Sequence, residues 1–381
     1  MAYFDNAATT YPKPECVYTD MDHYYRDNGT SAGRGNYKKA ISTNQLIRDT
    51  RQRIQSILKC PAKQVVFTPT ATIALNIIIQ GLLQGENKIV YITPFEHNAV
   101  TRTLHPYESS DKAKVLQLKV NSQLQYDLDG IAQQFDECPP DLLIMSHASN
   151  VCGLIAPVEE LSVLAKRYGA TVIVDMAQTA GLIPCNIGLE TIDFAVFAGH
   201  KTLYGPTGVS GFVMKPDIEL APVLFGGTGF ESANQDMPLS IPERFEIGTM
   251  NSLGIAGLNS ALRWIEETGI ERIREQEQKN RLRLIEILSE YSFIRTVGIA
   301  EDNRYVGVVS VLIDGVSSDS CGSIFDRLGI SVRTGLQCAP LAHQFLGTYP
   351  SGTVRFSVSF FTQENDFLEL NQALSYIKEN L

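Results

Sequence analysis

Long apolar runs are missing from this chain of 381 residues. Nothing reaches the roughly 18 apolar residues of a membrane span, so no spanning helix and no membrane partner are predicted. The opening Met1-Ala2-Tyr3-Phe4-Asp5-Asn6 lacks the basic start and apolar stretch of a signal peptide, which predicts a cytoplasmic protein. Positive charge is scarce. Lys and Arg number 32 against 42 Asp and Glu, a net charge of -10, and no basic cluster interrupts that balance. A nucleic-acid surface is therefore not expected. Cysteine pairs of the Cys-x-x-Cys kind are also lacking. The seven cysteines, Cys16, Cys60, Cys138, Cys152, Cys185, Cys321 and Cys338, are scattered and odd in number. That pattern argues against both a disulfide framework and a zinc site, and no metal is expected. Internal repeats and low-complexity tracts do not occur. What remains is an ordinary globular composition, 44% hydrophobic and 19% charged, with enough apolar residues for a sizeable core.

The chain is organised around Asp175 to Gly208. A strand, Thr171-Val172-Ile173-Val174, ends on Asp175 in Asp175-Met176-Ala177-Gln178. A second apolar run, Asp193-Phe194-Ala195-Val196-Phe197, leads into Ala198-Gly199-His200-Lys201 and then Gly205-Pro206-Thr207-Gly208. A carboxylate closes one buried strand and a lysine follows the next. Either residue alone fits an ordinary strand end or a solvated surface. Together they match what pyridoxal 5'-phosphate (PLP) requires: a lysine amine for a Schiff base, and an acid to keep the ring nitrogen protonated.

Before that stretch, strands alternate with helices. Ser42 to Leu58 has helical periodicity. Val65-Val66-Phe67 is a short strand, and Thr68-Pro69-Thr70-Ala71-Thr72 opens the helix Ile73 to Leu83. Such a turn offers N–H groups, hydroxyls and a positive dipole end, suited to a phosphate or to simple capping. The strand Lys88 to Ile92 is followed by Phe95-Glu96-His97-Asn98, where His97 fits stacking on an aromatic ring, proton transfer, or capping of the next helix. Leu142 to Met145 ends in Ser146-His147-Ala148-Ser149-Asn150. Polar residues thus gather just beyond strand ends, as in a mostly parallel α/β sheet with its ligand crevice at that edge. Gly211-Phe212-Val213-Met214 is expected to add a strand at the sheet's end. The loop Gly29-Thr30-Ser31-Ala32-Gly33-Arg34-Gly35 carries one fixed positive charge, and the Gly- and Pro-rich stretch from Phe225 to Gly254 fits a linker or an oligomer contact.

The C-terminal third has a different pattern, with strands near 308–313, 330–333 and 353–358 and a last helix near 365–377. A smaller α+β domain is expected from 1–14 and 261–381, beside a large PLP domain at 15–260. Here Arg333-Thr334-Gly335-Leu336-Gln337-Cys338-Ala339-Pro340 places a cysteine in a glycine-containing loop near an arginine, a setting for an exposed thiol. Arg355 fits a bidentate pair with a substrate carboxylate or a structural salt bridge.

From Tyr3-Phe4-Asp5-Asn6-Ala7-Ala8 to Arg355-Phe356-Ser357, the chain resembles fold-type I PLP enzymes of aminotransferase class V, specifically the Suf-type cysteine desulfurase and selenocysteine lyase branch. The Gly-His-Lys…Gly-Pro-x-Gly block and Arg-Thr-Gly-x-x-Cys-Ala carry the resemblance. It implies that Lys201 holds PLP, Asp175 pairs with the ring nitrogen, Gln178 lies near the phenolic oxygen and His97 stacks on the ring. Thr72, the backbone of Ala71, and His200 would hold the phosphate. Thr249, in Arg244-Phe245-Glu246-Ile247-Gly248-Thr249, would reach the phosphate of a neighbouring subunit in a homodimer. Asn150 and Arg355 would bind the substrate carboxylate. Cys338 would carry sulfur as a persulfide, passing it to an acceptor protein. The implied reaction removes sulfur or selenium from L-cysteine or L-selenocysteine and leaves L-alanine. Transamination, racemisation, β-elimination, or a degraded homologue that only binds sulfur-delivery partners are the alternatives.

Departures from the family pattern accompany the resemblance. Ala198 stands where a serine or threonine is usual, removing a phosphate hydroxyl. Thr70-Ala71-Thr72-Ile73 lacks the common Gly and Glu. Gln337 replaces a histidine often found before the cysteine and cannot titrate. His343 would either compensate for it or lie on the surface. Phe360-Phe361-Thr362 stands where many relatives have an asparagine in the middle.

Overall fold

The computed structural model describes every residue except Arg34, Glu86, Ser232 and Leu381. The loop charge at Arg34 therefore lies outside the described residues. The larger sheet has seven strands in the spatial order Gln64–Thr68, Ser210–Met214, Phe194–Ala198, Thr171–Asp175, Leu142–Ser146, Lys88–Ile92, Ala113–Gln117. The last five are mutually parallel, and Ser210–Met214 is antiparallel to both of its neighbours. This corrects the expectation that Ser210–Met214 ends the sheet: Gln64–Thr68, from far earlier in the chain, pairs outside it.

The central strands are apolar throughout because helices cover both faces, and alternate residues feed opposite cores. Val172 and Val174 join one cluster with Leu143, Met145, Ala195 and Phe197. Ile173 joins the other with Leu142, Ile144, Phe194 and Val196. A one-residue slip would exchange these sets, so the packing fixes the register. It also fixes which residues emerge at the carboxyl edge of the sheet.

The smaller sheet is antiparallel, ordered Arg333–Gly335, Thr353–Ser357, Val308–Ile313, Ile294–Val297. Val309, Val311, Val354 and Phe356 pack against Leu284, Leu288, Phe367 and Leu370 of the helices Ile270–Ser289 and Glu364–Asn380. The N-terminal segment belongs to this half. Ala2–Tyr3 pairs in parallel with Ile330–Ser331, and Phe4 is buried in the same core. The unusual Phe360-Phe361 dipeptide has a packing reason. Both rings meet Trp264, Phe361 by stacking at 5.4 Å, and Tyr204 closes the cluster. Among the described residues no helix is long and apolar enough to cross a membrane, and all seven cysteines are free.

Candidate active site

A cavity of about 210 Å³ opens at the carboxyl edge of the large sheet. Its lining includes Ala71, Thr72, His97, Asn150, Asp175, Gln178, His200 and Lys201, eight of the residues expected at the site. Each lies at the end of a buried strand or within five residues beyond it. Asp175 closes its strand, with one carboxylate oxygen accepting from the Ala177 N–H at 2.9 Å. Burial pushes its pKa up, so the carboxylate gains from any cationic partner placed against it.

Lys201 follows the strand Phe194–Ala198 through a tight turn. Gly199 is required there because a Cβ would run into the carbonyl oxygen of Val209. Burial lowers the lysine to about 8, against the opposing pull of the Asp175 charge. A lysine so lowered is partly a free amine at neutral pH, the form that attacks a carbonyl. The turn is strapped from the N-terminal segment. Thr10 Oγ1 donates to the Lys201 carbonyl at 3.0 Å, and Lys13 Nζ donates to the His200 carbonyl at 2.7 Å. Burial brings Lys13 down to about 7.

His97 caps the helix Asn98–Ser109, its Nδ1 accepting from the Ala99 N–H at 3.0 Å. The ring therefore carries its proton on Nε2. Burial first, and then the charge of Lys201, lower its pKa to about 4, so it stays neutral. Capping and a place in the cavity wall coexist in this residue. Gln178 Nε2 donates to the Ala7 carbonyl at 2.9 Å, leaving its oxygen available.

The residues present fit PLP. His200 Nδ1 is buried without a partner, and the ring is held neutral, near 4, by burial. Thr72 and Ala71 begin a helix of 12 residues capped by Thr70 Oγ1, so free N–H groups and the positive dipole end face a phosphate-sized space. Ala198 lines the cavity without a hydroxyl. Thr249 does not join this wall. It lines a separate cleft of about 890 Å³ with Arg48, Arg51 and Glu246. Its segment is anchored there, as Glu246 pairs with Arg51 at 2.5 Å and accepts from the Phe67 N–H at 2.8 Å.

Cys338 is exposed. It and Gln337 have φ of +57° and +40°, a left-handed conformation costing about 1–3 kcal/mol at each non-glycine residue. The turn survives because it is pinned. The Asn98 N–H donates to the Cys338 carbonyl at 2.7 Å, and Asn150 Nδ2 donates to the Gln337 carbonyl at 2.7 Å. The Gln337 side chain points inward, donating to the Thr353 carbonyl at 3.0 Å. Its oxygen lies 2.8 Å from His343 Nε2. His343 is fully buried, so of its two readings the surface one is ruled out. It positions the turn through Gln337. Arg355 is buried as well. It donates to Asp5 at 2.9 Å and to the Asn150 carbonyl at 2.9 Å, and its Nε has no partner.

The aminotransferase class-V family model matches residues 2–370. The chain belongs to the aminotransferase class-V family. A probable cysteine desulfurase of Pyrococcus abyssi is 31% identical over 391 residues, covering 99% of this chain and 93% of that protein. A probable cysteine desulfurase of Aeropyrum pernix is 30% identical, covering 99% and 94%. The apo structure of a cysteine desulfurase from Thermococcus onnurineus superposes with a TM-score of 0.91 at 29% identity, over 100% of this chain and 95% of that one.

This class-V chain has site residues that sequence reasoning missed. Asp5 and Lys13 lie in a short polar and proline-flanked run with no periodicity to mark them. Glu96 is fully buried, accepts from Thr93 and Ser146, and is pushed up to about 7 by burial. Its only sequence signal is its place beside His97.

Proposed function

We propose that this chain is a PLP-dependent cysteine desulfurase that also accepts L-selenocysteine. The observation that carries the reading is the joining of Asp175 and Lys201 in one cavity, with an exposed cysteine on a turn pinned to Asn150 of that cavity's wall and to Asn98, next to His97 of the wall. When bound, PLP supplies an electron-accepting ring that makes the bonds at the substrate's α-carbon easier to break.

The chain's own residues then divide the work. Lys201 Nζ holds the cofactor and moves the proton at the α-carbon. The Asp175 carboxylate keeps a proton on the ring nitrogen. Neutral His97 covers the ring face, and Gln178 offers the second N–H of its amide to the ring's phenolic oxygen. Thr72, the Ala71 backbone and His200 receive the phosphate. Asn150 and Arg355 orient the substrate carboxylate. Cys338 takes the sulfur: the carbon–sulfur bond of L-cysteine breaks, a sulfur–sulfur bond forms, and alanine leaves. L-cysteine plus the enzyme thiol equals L-alanine plus the enzyme persulfide, which an acceptor protein then discharges.

We further propose a homodimer in which Thr249 serves the neighbouring subunit's phosphate. Exposed Phe225 and Leu239, 72% and 81% accessible, in the surrounding stretch support a covered apolar surface there. The experiment is incubation of the pure holoenzyme with L-cysteine and a reductant, followed by amino-acid analysis. Alanine with an equal amount of sulfide is expected; pyruvate in place of alanine would make this a carbon–sulfur lyase instead.

A further inference from the structure

The mechanism above uses Arg355 and leaves Arg333 and Asp5 without work, although the three form one cluster. Asp5 Oδ1 accepts from Arg355 Nη2 at 2.9 Å. Its Oδ2 accepts from Arg333 Nε at 3.1 Å and from Arg333 Nη2 at 2.8 Å. One carboxylate thus serves two guanidiniums, and one positive charge stays uncompensated. The two arginines differ in what they can do about it. The Arg333 side chain is 51% exposed and can lean on water, whereas that of Arg355 is 4% exposed and cannot. Arg355 also keeps a buried Nε with no partner. A buried guanidinium with an idle donor and half of a counter-charge is costly unless an anion visits it.

Asp5 is itself locked in register with Arg355. The Ser357 N–H donates to the Phe4 carbonyl at 2.7 Å, Asn6 Nδ2 donates to the Ser357 carbonyl at 2.9 Å, and the Ala7 N–H donates to Ser357 Oγ at 2.8 Å. Arg355 lies two residues earlier on that strand. On its other side, the Ala7 carbonyl accepts from Gln178 in the cavity wall. The strap therefore ties the arginine to the wall that faces the ligand.

We propose that Asp5 is a positioning residue: spanning Arg355 and Arg333, it holds the Arg355 guanidinium in place and so sets the affinity for ligands bearing an α-carboxylate. This rests on reading Arg355 as the carboxylate anchor of a desulfurase. Arg333 acts at one remove, by keeping Asp5 from following Arg355.

The test is calorimetric titration of the holoenzyme with L-alanine and with ethylamine, which is alanine without its carboxylate. Asp5→Asn should weaken L-alanine about tenfold, the worth of one charged hydrogen bond, and leave ethylamine unchanged. Arg333→Gln, at a half-exposed position, should fold even if Asp5→Asn does not, and should weaken L-alanine about threefold by loosening the same clamp. Unchanged or tighter L-alanine binding in these variants, or parallel losses for both ligands, overturns the proposal. Arg355→Lys separates the two layers. If it binds L-alanine like wild type, the anchor reading itself falls. If it loses affinity while the Asp5 and Arg333 variants do not, only the role of Asp5 falls. Failure of wild type to form alanine from L-cysteine would sink the desulfurase reading and leave the titrations standing.

Discussion

The cavity wall that carries Asp175, Gln178, His200 and Lys201 is made of strand ends, while a second wall, beyond that cavity's lining, carries Cys338 and Arg355 and is held by a turn and a strap. On the first side, register in a doubly covered sheet decides where each group emerges. On the second, two residues sit in left-handed conformations, and the turn keeps its shape through bonds to Asn98, Asn150, Thr353 and His343. The difference teaches a division of labour. Groups that must stay still are placed by packing. The thiol that, on the proposed function, would meet both a buried substrate and an outside acceptor is placed by hydrogen bonds on an exposed turn.

The sharpest way to break this contrast is at Lys201. Lys201→Ala should lower alanine formation from L-cysteine roughly 10³-fold, the loss of a positioned proton-transfer group. Borohydride reduction of the wild-type holoenzyme should label the Lys201 peptide. A label on another lysine, or substantial residual turnover, would move the site off the strand-end wall.

Next in size is the contribution of a second chain to that wall. Mixing Lys201→Ala chains with Thr249→Ala chains should give heterodimers in which one site carries both lesions and the other is intact, restoring activity. Verified heterodimers with no recovery in any ratio would show that Thr249 serves no neighbouring site.

The chemistry of Lys201 gives a milder, pH-dependent effect. Its folded pKa, about 8, lies below the ordinary 10.5. Capture of PLP by the apo-protein needs the free amine, so its rate should climb as pH rises toward 8 and level off above. The linkage has the same sign. Between about 8 and 10.5 the unfolded chain binds the extra proton, so this residue's contribution favours folding more as pH rises through that window. A capture rate flat from pH 6.5 to 8.5 contradicts the lowered pKa.

The smallest effect tests the second wall. His343→Ala removes a buried partner of Gln337 and Thr348 and should cost about 1–3 kcal/mol. It should lower the unfolding midpoint and slow sulfur release without moving the cofactor's absorption band. A slowed reaction together with a shifted band would mean that the two walls are not separable.

Legibility in the sequence follows the same line. Strand ends carry their own signal, because an apolar run stops on a polar residue; Asp175, Asn150, His97 and Lys201 could be placed from that pattern and from the family motifs. Long-range bonds carry none. Nothing near Gln337 indicates that its side chain turns in to Thr353, and nothing near Asp5 points to arginines more than three hundred positions away. The helices Glu15–Asn28 and Leu128–Glu137 also escaped, and the one after His97, Asn98–Ser109, is expected from the sequence without its bounds. Pro14 precedes Glu15–Asn28 and Pro106 lies inside Asn98–Ser109, and proline reads as a helix breaker although it is tolerated at a helix start. The place of Gln64–Thr68 outside Ser210–Met214 is a pairing of distant segments that no local pattern encodes.

The central claim is that the pinned, exposed turn exists to carry sulfur on Cys338. Its most direct test is a single turnover of the holoenzyme with L-cysteine and no reductant, followed by peptide mass mapping, in wild type and Cys338→Ala. The account predicts one added sulfur on the Cys338 peptide, matched by an equivalent of alanine. In the variant, the cofactor spectrum should be retained and no alanine should form from L-cysteine, while part of the L-selenocysteine activity persists. Alanine formed from L-cysteine at the wild-type rate by Cys338→Ala, or added sulfur found on another cysteine, would contradict it.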